Sequence, residues 1–136
     1  MKTKSGFLPF RIKGGDKQVR QHLDDLRQQI VRAVDPRKII LFDSYAYGQP
    51  NEDSDIDLLV IMPFEGSAHQ QAFEIRRRLN SSMPMDLMVR TPEFVAQRLA
   101  WGDAFMREVI EQGKTLYEAE HATMVNRLGC RAKPGA

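Results

Sequence analysis

The chain has 136 residues, 42% of them hydrophobic and 28% charged, which is typical of a globular chain with one domain. No apolar run reaches the length of a membrane span, and the N-terminus lacks the apolar region of a signal peptide, so we expect no membrane association. The single cysteine, Cys130, excludes an internal disulfide framework and a cysteine zinc cluster, and it indicates a reducing cytoplasm.

The formal net charge is +2, but the charges are unevenly placed. Residues 1–15 hold four basic residues and no acid, and residues 121–136 hold three basic residues and no acid. The part between them holds 13 basic and 18 acidic residues and is therefore net −5. We interpret the basic ends as solvated tails, because neither has the charge density of a nucleic-acid-binding arm.

The N-terminal part predicts an irregular leader followed by one long helix. Glycine and proline interrupt residues 1–15, and Asp16 is suited to cap a helix. Apolar residues then recur at helical spacing from Val19 to Val34, which predicts a stripe that packs on the core. The pair Asp35-Pro36 is expected to stop this helix.

Residues 38–62 predict a strand, a turn, a short helix, a loop and a second strand, in the sequence KIILFDSYAYGQPNEDSDIDLLVIM. The apolar, β-branched run Lys38–Phe42 suits a buried strand. Asp43 and Ser44 interrupt it, and both residue types favour helix N-caps. After a loop containing glycine, proline and asparagine, residues 55–61 predict a second strand that begins with two acids.

The two acids of the second strand are candidate metal ligands. Side chains alternate along a strand, so Asp55 and Asp57 leave on the same face, about 7 Å apart. Carboxylates at that spacing repel each other unless a cation lies between them, and Mg²⁺ prefers carboxylate oxygens. Acids at a strand end are more often simply solvated, so the pair alone is a weak signal.

A third acid follows in the next predicted strand, residues 85–89. Asp86 is its only charged residue, and alternation places Asp86 on a face with Met88 and Arg90. Burying an unpaired carboxylate costs free energy, and a shared metal ion would compensate for the charge.

The remaining elements follow from capping residues and apolar periodicity. Ser67 is expected to cap a helix over residues 68–80, with Phe73 on its inner face and most of its arginines solvated. Thr91 and Pro92 predict the start of a helical region that is broken near Gly102. Residue Gly113 is expected to cap its end, and a last edge strand is predicted over residues 114–117.

Taken together, these motifs resemble the signature of the DNA polymerase β-like nucleotidyltransferase superfamily, and the run SDIDLLV is close to its small prokaryotic MNT-type (minimal nucleotidyltransferase) domains. That family has a glycine-serine turn opening a short helix, then a D-x-D strand, then an aspartate from a later strand. Here the turn is Asp43-Ser44, the pair is Asp55 and Asp57, and the later acid is Asp86. The resemblance covers roughly residues 17 to 117, with one departure: Asp43 stands where the family has glycine.

The element order and this resemblance imply an α/β fold, with a short mixed β-sheet and helices packed on one side. We expect an irregular leader over residues 1–15, a nucleotidyltransferase domain over residues 16–117 and a C-terminal tail over residues 118–136.

The resemblance also implies the reaction, which is transfer of a nucleoside monophosphate, AMP from ATP, with release of pyrophosphate. Asp55 and Asp57 would bridge two Mg²⁺ ions, and Asp86 would hold one of them near the attacking hydroxyl. Ser44, with Asp43 beside it, would lie against the phosphates at the helix N-terminus.

These motifs do not identify the acceptor of the AMP group. A bare domain of this size resembles the antitoxins that pair with a HEPN-type toxin and, in that family, add AMP to a toxin tyrosine. Two alternatives stay open: a catalytically weak domain that neutralises its partner by binding, and transfer to a small molecule such as an aminoglycoside. We expect no nucleic-acid substrate, because polymerases use extra domains for template and primer that this chain has no room for.

Two further expectations concern the partner surface and Asp43. The helical region 92–112, with Trp101, Phe105 and Met106, is expected to meet the partner or a second copy of the chain. Asp43 places a negative charge beside the expected triphosphate. Two unit charges about 5 Å apart at an effective dielectric of about 20 repel by roughly 3 kcal/mol, more than the ~1 kcal/mol benefit of a helix cap. We therefore expect weakened nucleotide binding.

Overall fold

The computed structural model describes residues 17–51, 53–81 and 83–119. Within them, four α-helices and four β-strands follow one another in a single α/β unit. The elements are α1 (Lys17–Val34), β1 (Lys38–Phe42), a 3₁₀ turn (Asp43–Tyr45), β2 (Ile56–Ile61), α2 (Ala68–Arg76), β3 (Met85–Arg90), α3 (Pro92–Ala100), α4 (Ala104–Gln112) and β4 (Lys114–Glu118).

The four strands form one mixed sheet in the order β3-β2-β1-β4. β1 runs antiparallel to both of its neighbours, whereas β2 and β3 are parallel. A parallel pair needs a crossover connection, and α2 supplies it between β2 and β3. The predicted α/β class and the short mixed sheet are confirmed.

The helices cover both faces of this sheet. Ile39 and Leu41 of β1 pack into one core with α1 and α2, whereas Ile40 and Phe42 pack into a second core with α3 and α4. The expectation that all helices pack on one side is corrected by this second core. The physical reason is that consecutive residues of β1 are all apolar, so each face has side chains that must be removed from water.

The predicted stripe of α1 is buried, and the helix also buries a charge that the sequence did not reveal. Asp24 is fully buried, and its carboxylate is paired with Arg27 and accepts a 2.8 Å hydrogen bond from Gln28 Nε2. Such a group is tolerated inside a protein when its charge and its oxygens are both satisfied. The helix ends before Asp35 and Pro36 as predicted, whereas the proposed cap Asp16 lies outside the described residues.

Helix starts were predicted more accurately than helix ends. Ser67 accepts the backbone N–H of Gln70 at the start of α2, and Thr91 accepts that of Phe94 at the start of α3. Asp103, which the sequence pattern did not single out, caps α4 by accepting the backbone N–H of Met106. α2 is four residues shorter at its end than the predicted range 68–80, while the break near Gly102 is confirmed. None of the helices in the described ranges has the length and apolar character that crossing a bilayer requires.

Gly113 ends α4 as predicted, but for a packing reason. Its φ of −66° is available to any residue, so no left-handed conformation is involved. A Cβ at this position would lie 2.3 Å from the carbonyl oxygen of Val109 and 2.5 Å from Cγ2 of Ile40. The absence of a side chain therefore lets the end of α4 press directly on β1.

We expect Gly113→Ala to destabilise the fold by about 2 to 3 kcal/mol, because the new methyl group meets backbone at well below contact distance. The matched variant is Gly102→Ala, since Gly102 has a φ of +79° and no other atom lies within 4 Å of the position that a Cβ would take. That change should cost only about 1 kcal/mol, through backbone strain. Urea unfolding of both variants measures the difference, and equal losses would contradict the packing argument.

Candidate active site

The strand register brings two of the three predicted carboxylates side by side. Asp57 of β2 pairs with Asp86 of β3 in the parallel register and with Phe42 of β1 in the antiparallel one. Asp57 and Asp86 therefore share the sheet face that α3 and α4 cover. Asp55 lies one residue before β2, which begins at Ile56 instead of the predicted residue 55, and it is exposed to solvent.

The electrostatics of Asp57 show that the negative charges act on one another. Burial, followed by the charges of Asp43, Asp86 and Asp55, raises the pKa of Asp57 to about 6 from an ordinary 3.8. Asp43 has the largest effect among these charges, so the cluster contains four carboxylates instead of the predicted three. Among the described residues no three acids, histidines or cysteines already stand at metal-ligand spacing, so a cation would have to draw the carboxylates together.

The turn after β1 holds Asp43 in a left-handed conformation. Its φ is +64°, a value that non-glycine residues adopt at a steric cost. Its carbonyl oxygen accepts the backbone N–H groups of Ala46, Tyr47 and Gly48 at 2.9, 2.9 and 3.2 Å, which fixes the turn. The related family has glycine at this place, and the positive φ gives that preference a physical reason.

The expected capping role of Asp43 and Ser44 is wrong. Phe42 occupies the N-cap position of the 3₁₀ turn, and no side chain caps it. Asp43 is the first residue of the turn itself, so its carboxylate gains no cap hydrogen bond that would offset its charge. The reason is that β1 continues to Phe42, which leaves Asp43 inside the turn and not in front of it.

Two contacts fix the turn against the rest of the site. A Cβ on Gly48 would lie 2.9 Å from Cα of Ser44, so the loop closes tightly on the residue expected to meet the phosphates. Tyr47 reaches α4: burial raises the pKa of its hydroxyl, a hydrogen bond with the backbone of Asp43 lowers it in part, and the charge of Glu108 together with a hydrogen bond to that carboxylate raises it further. The first contact closes the turn on itself, and the second connects it to α4.

Aromatic side chains extend from the site over α3 and α4. Phe42 packs edge-to-face on Phe105, with ring centroids 5.8 Å apart. Phe94 and Trp101 are exposed, and the guanidinium group of Arg98 lies 5.9 and 5.6 Å from their rings. Met106, which the sequence grouped with this surface, is instead buried in the core, being 2% exposed.

Comparison with known proteins identifies the family. The family model for "Polymerase beta, Nucleotidyltransferase" matches residues 24–122. The chain belongs to this family. It is a nucleotidyltransferase, and the family resemblance inferred from the turn and the three aspartates is confirmed.

Several known proteins are similar to this chain. The chain is 27% identical over 104 residues to a candidate protein adenylyltransferase of Methanocaldococcus jannaschii, covering 75% of this chain and 97% of that protein. The crystal structure of a candidate nucleotidyltransferase from Sulfolobus solfataricus aligns with a TM-score of 0.52 at 17% identity, over 76% of this chain and 85% of that one. A mutant of the toxin–antitoxin complex MntA–HpeT aligns with a TM-score of 0.43 at 20% identity, over 77% and 88% of the two chains, too low to support an argument.

The raised pKa of Asp57 predicts that stability falls as pH rises. Between pH 3.8 and about 6 the folded protein keeps a proton on Asp57 that the unfolded chain has released. The free energy of unfolding therefore decreases across this window and levels off above it. The substituted side chain of Asp57→Asn stays uncharged at every pH. Above this window we therefore expect the variant to be more stable than the wild type, by roughly 1 kcal/mol after solvent screening. This difference in stability should disappear as the pH falls through the window.

Urea unfolding over this pH range, without divalent cations, measures the effect. Asp53→Asn is the matched control, because Asp53 is an exposed acid of the same loop that is not among the charges acting on Asp57. A constant difference between Asp57→Asn and wild type at all pH values would contradict the prediction.

Proposed function

We propose that this nucleotidyltransferase moves AMP from ATP onto a hydroxyl group of another protein, with Mg²⁺. The observation that carries the proposal is that Asp55, Asp57 and Asp86 lie at the same end of the sheet. There, burial and then the charges of Asp43, Asp86 and Asp55 raise the pKa of Asp57. The candidate protein adenylyltransferase of M. jannaschii, matched over nearly its whole length, supports a protein acceptor over a small molecule such as an aminoglycoside.

The carboxylate cluster fits a divalent cation. Its donors are hard oxygens, which Mg²⁺ prefers, and their mutual repulsion would be relieved by a positive ion. The ion pairs found in the described residues involve other acids, namely Asp24, Glu74 and Asp103. Asp55, Asp57 and Asp86 would hold two Mg²⁺ ions, which when bound would lower the pKa of the attacking hydroxyl and neutralise phosphate charge.

The chain's own residues would position the reactants. Ser44 and the backbone amides of its turn would hold the phosphates by direct hydrogen bonds. A turn of three residues has almost no helix dipole, so this contribution to phosphate binding would be small. Asp86 is exposed at the edge strand β3, where an acceptor can reach it.

A HEPN-type toxin is the acceptor we propose, as the resemblance to MNT-type antitoxins suggests. The exposed rings of Phe94, Trp101 and Phe105 on α3 and α4 offer a surface with the aromatic and arginine composition typical of binding hot spots. A second copy of the chain could occupy the same surface. The left-handed, negatively charged Asp43 favours a second candidate function, in which the domain has weak activity and neutralises its partner by binding alone.

Mg²⁺ together with ATP should raise the melting temperature of the wild type, because a ligand that binds only the folded state stabilises it. Asp57→Ala should fold and lose this shift, whereas Asp53→Ala, a nearby exposed acid, should keep it. Differential scanning fluorimetry measures both. A full Mg²⁺-ATP shift in Asp57→Ala would place the nucleotide site elsewhere.

Incubation with labelled ATP and a purified HEPN-type protein encoded beside this gene then tests the reaction itself. Transfer of labelled AMP to that protein, lost in Asp57→Ala, is the expected result. Neutralisation of the toxin by both the wild type and Asp57→Ala, with no label transferred, would support binding alone instead.

Asp43→Gly should increase the affinity for Mg²⁺-ATP by about tenfold and increase the rate of transfer. The gain is smaller than the bare Coulomb repulsion suggests, because Asp43 is exposed and solvent screens its charge. Glycine also fits the φ of +64° without strain. Calorimetry measures the affinity, and Asp53→Gly controls for the loss of a nearby charge. A loss of both affinity and transfer in Asp43→Gly would show that Asp43 is a ligand in the site.

A further inference from the structure

The turn that carries Ser44 has little support of its own. It spans only three residues, Asp43–Tyr45, and no side chain caps it. Asp43 holds a φ of +64°, which is unfavourable for a residue with a side chain. Its carbonyl oxygen accepts three backbone N–H groups, but these bonds join the turn only to the residues that follow directly. Strained backbone of this kind keeps one conformation where the surrounding structure holds it.

Helix α4 contacts the chain on both sides of Ser44. The ring of Phe105 packs edge-to-face on Phe42, the residue just before the turn, with the ring centroids 5.8 Å apart. Glu108 accepts a hydrogen bond from the hydroxyl group of Tyr47, the second residue after the turn. Phe105 and Glu108 are three residues apart on one helix, so they project from the same side of α4. The helix therefore holds both ends of the segment that contains Ser44.

Tyr47 joins the turn to this helix and to both cores. Its side chain packs against the core that α1 and α2 cover, and also against the core that α3 and α4 cover. Its hydroxyl group makes a second hydrogen bond, with the backbone of Asp43. The hydroxyl therefore lies between the strained residue of the turn and Glu108, and a hydrogen bond to a carboxylate is stronger than one between neutral groups.

We propose that Tyr47 and Glu108 are positioning residues for nucleotide binding. The hydroxyl group of Tyr47, held by Glu108, fixes the turn in the orientation in which Ser44 and the backbone amides meet the phosphates. The proposal rests on the proposed function, since it concerns the phosphate-binding turn of the same site. Glu108 acts through Tyr47 and not by touching the nucleotide, because a carboxylate repels a phosphate.

The packing of α4 does not depend on this hydrogen bond. Met106 and Val109 are buried in the core between the helix and the sheet, and Gly113 lets the end of the helix approach β1 closely. α4 is therefore a fixed support. Breaking the hydrogen bond between Tyr47 and Glu108 should release the turn and leave the helix in place.

Tyr47→Phe tests the proposal, because it removes the hydroxyl group and keeps the ring. We expect its affinity for Mg²⁺-ATP, measured by calorimetry well below the melting temperature, to fall about threefold or more. Glu108→Ala should cause a similar loss. Glu108→Gln should retain most of the affinity, since its amide oxygen can still accept the hydroxyl group. A lower melting temperature with unchanged affinity is typical of a purely structural contact and would overturn the proposal.

The double variant Tyr47→Phe/Glu108→Ala isolates the contact. Both changes break the same hydrogen bond, so the double variant should bind Mg²⁺-ATP no more weakly than the weaker of the two single variants. Losses that add would show that the two residues act separately, and they would overturn the proposal.

Glu111→Ala is the matched control for charge. Glu111 is an exposed acid about one turn further along α4, and it is not among the groups acting on Tyr47. Its variant should bind Mg²⁺-ATP as the wild type does. An affinity loss equal to that of Glu108→Ala would contradict the proposal, because the charge of the helix and not the contact with Tyr47 would then set the affinity.

Hydrogen exchange gives a measurement that needs no nucleotide. The backbone N–H groups that bond to the carbonyl oxygen of Asp43 should exchange faster in Tyr47→Phe and in Glu108→Ala. The N–H of Gly113, which bonds to the end of α4, should exchange as in the wild type. Unchanged exchange in the turn would overturn the proposal.

Failure of the proposed function has a different signature. In that case Tyr47→Phe and Glu108→Ala would show the expected loss of Mg²⁺-ATP affinity and the faster exchange in the turn, but the wild type would pass no label from ATP to the partner protein.

Discussion

The parallel pairing of β2 with β3 is the constraint on which the rest of the structure depends. It sets Asp57 directly beside Asp86 and leaves Asp55 just before the strand, so three aspartates lie at the same end of the sheet. The crossover that a parallel pair requires is α2, which packs on the opposite face of the sheet. Burial and then the charges of Asp43, Asp86 and Asp55 raise the pKa of Asp57 to about 6, and the parallel pairing supplies the second of these charges.

The turn after β1 contains a residue, Asp43, that is unfavourable both for the backbone conformation and for the binding of a nucleotide at this end of the sheet. Asp43 adopts a φ of +64° and adds a fourth negative charge, yet its carboxylate gains no cap hydrogen bond. The turn is held mainly by backbone, through the carbonyl oxygen of Asp43 and the close approach of Gly48 to Ser44. The side chain of Asp43 contributes little to holding the turn, so glycine at this position would relieve the strain of the positive φ and also remove the charge that a nucleotide meets.

The two faces of the sheet have different consequences for function. α1 and α2 cover one face, and α2 presents arginines beside β3. α3 and α4 cover the other, and the missing side chain of Gly113 lets α4 press on β1, which places Phe105 against Phe42 next to Asp57. The face that carries Asp57 is therefore bordered by the exposed aromatic side chains of α3 and α4.

The sequence by itself determined the elements and the candidate carboxylates, because alternation along a strand, capping residues and the D-x-D spacing are local properties. Asp55, Asp57 and Asp86 could be named without any knowledge of what lies beside them. Only the tertiary structure decided that helices cover both faces and that Asp43 acts on Asp57 more strongly than Asp86 does. It also decided that Asp24 is buried and that Phe73, expected on the inner face of α2, is exposed. These features depend on strand order, register and helix placement, which bring distant residues into contact and which no local pattern specifies.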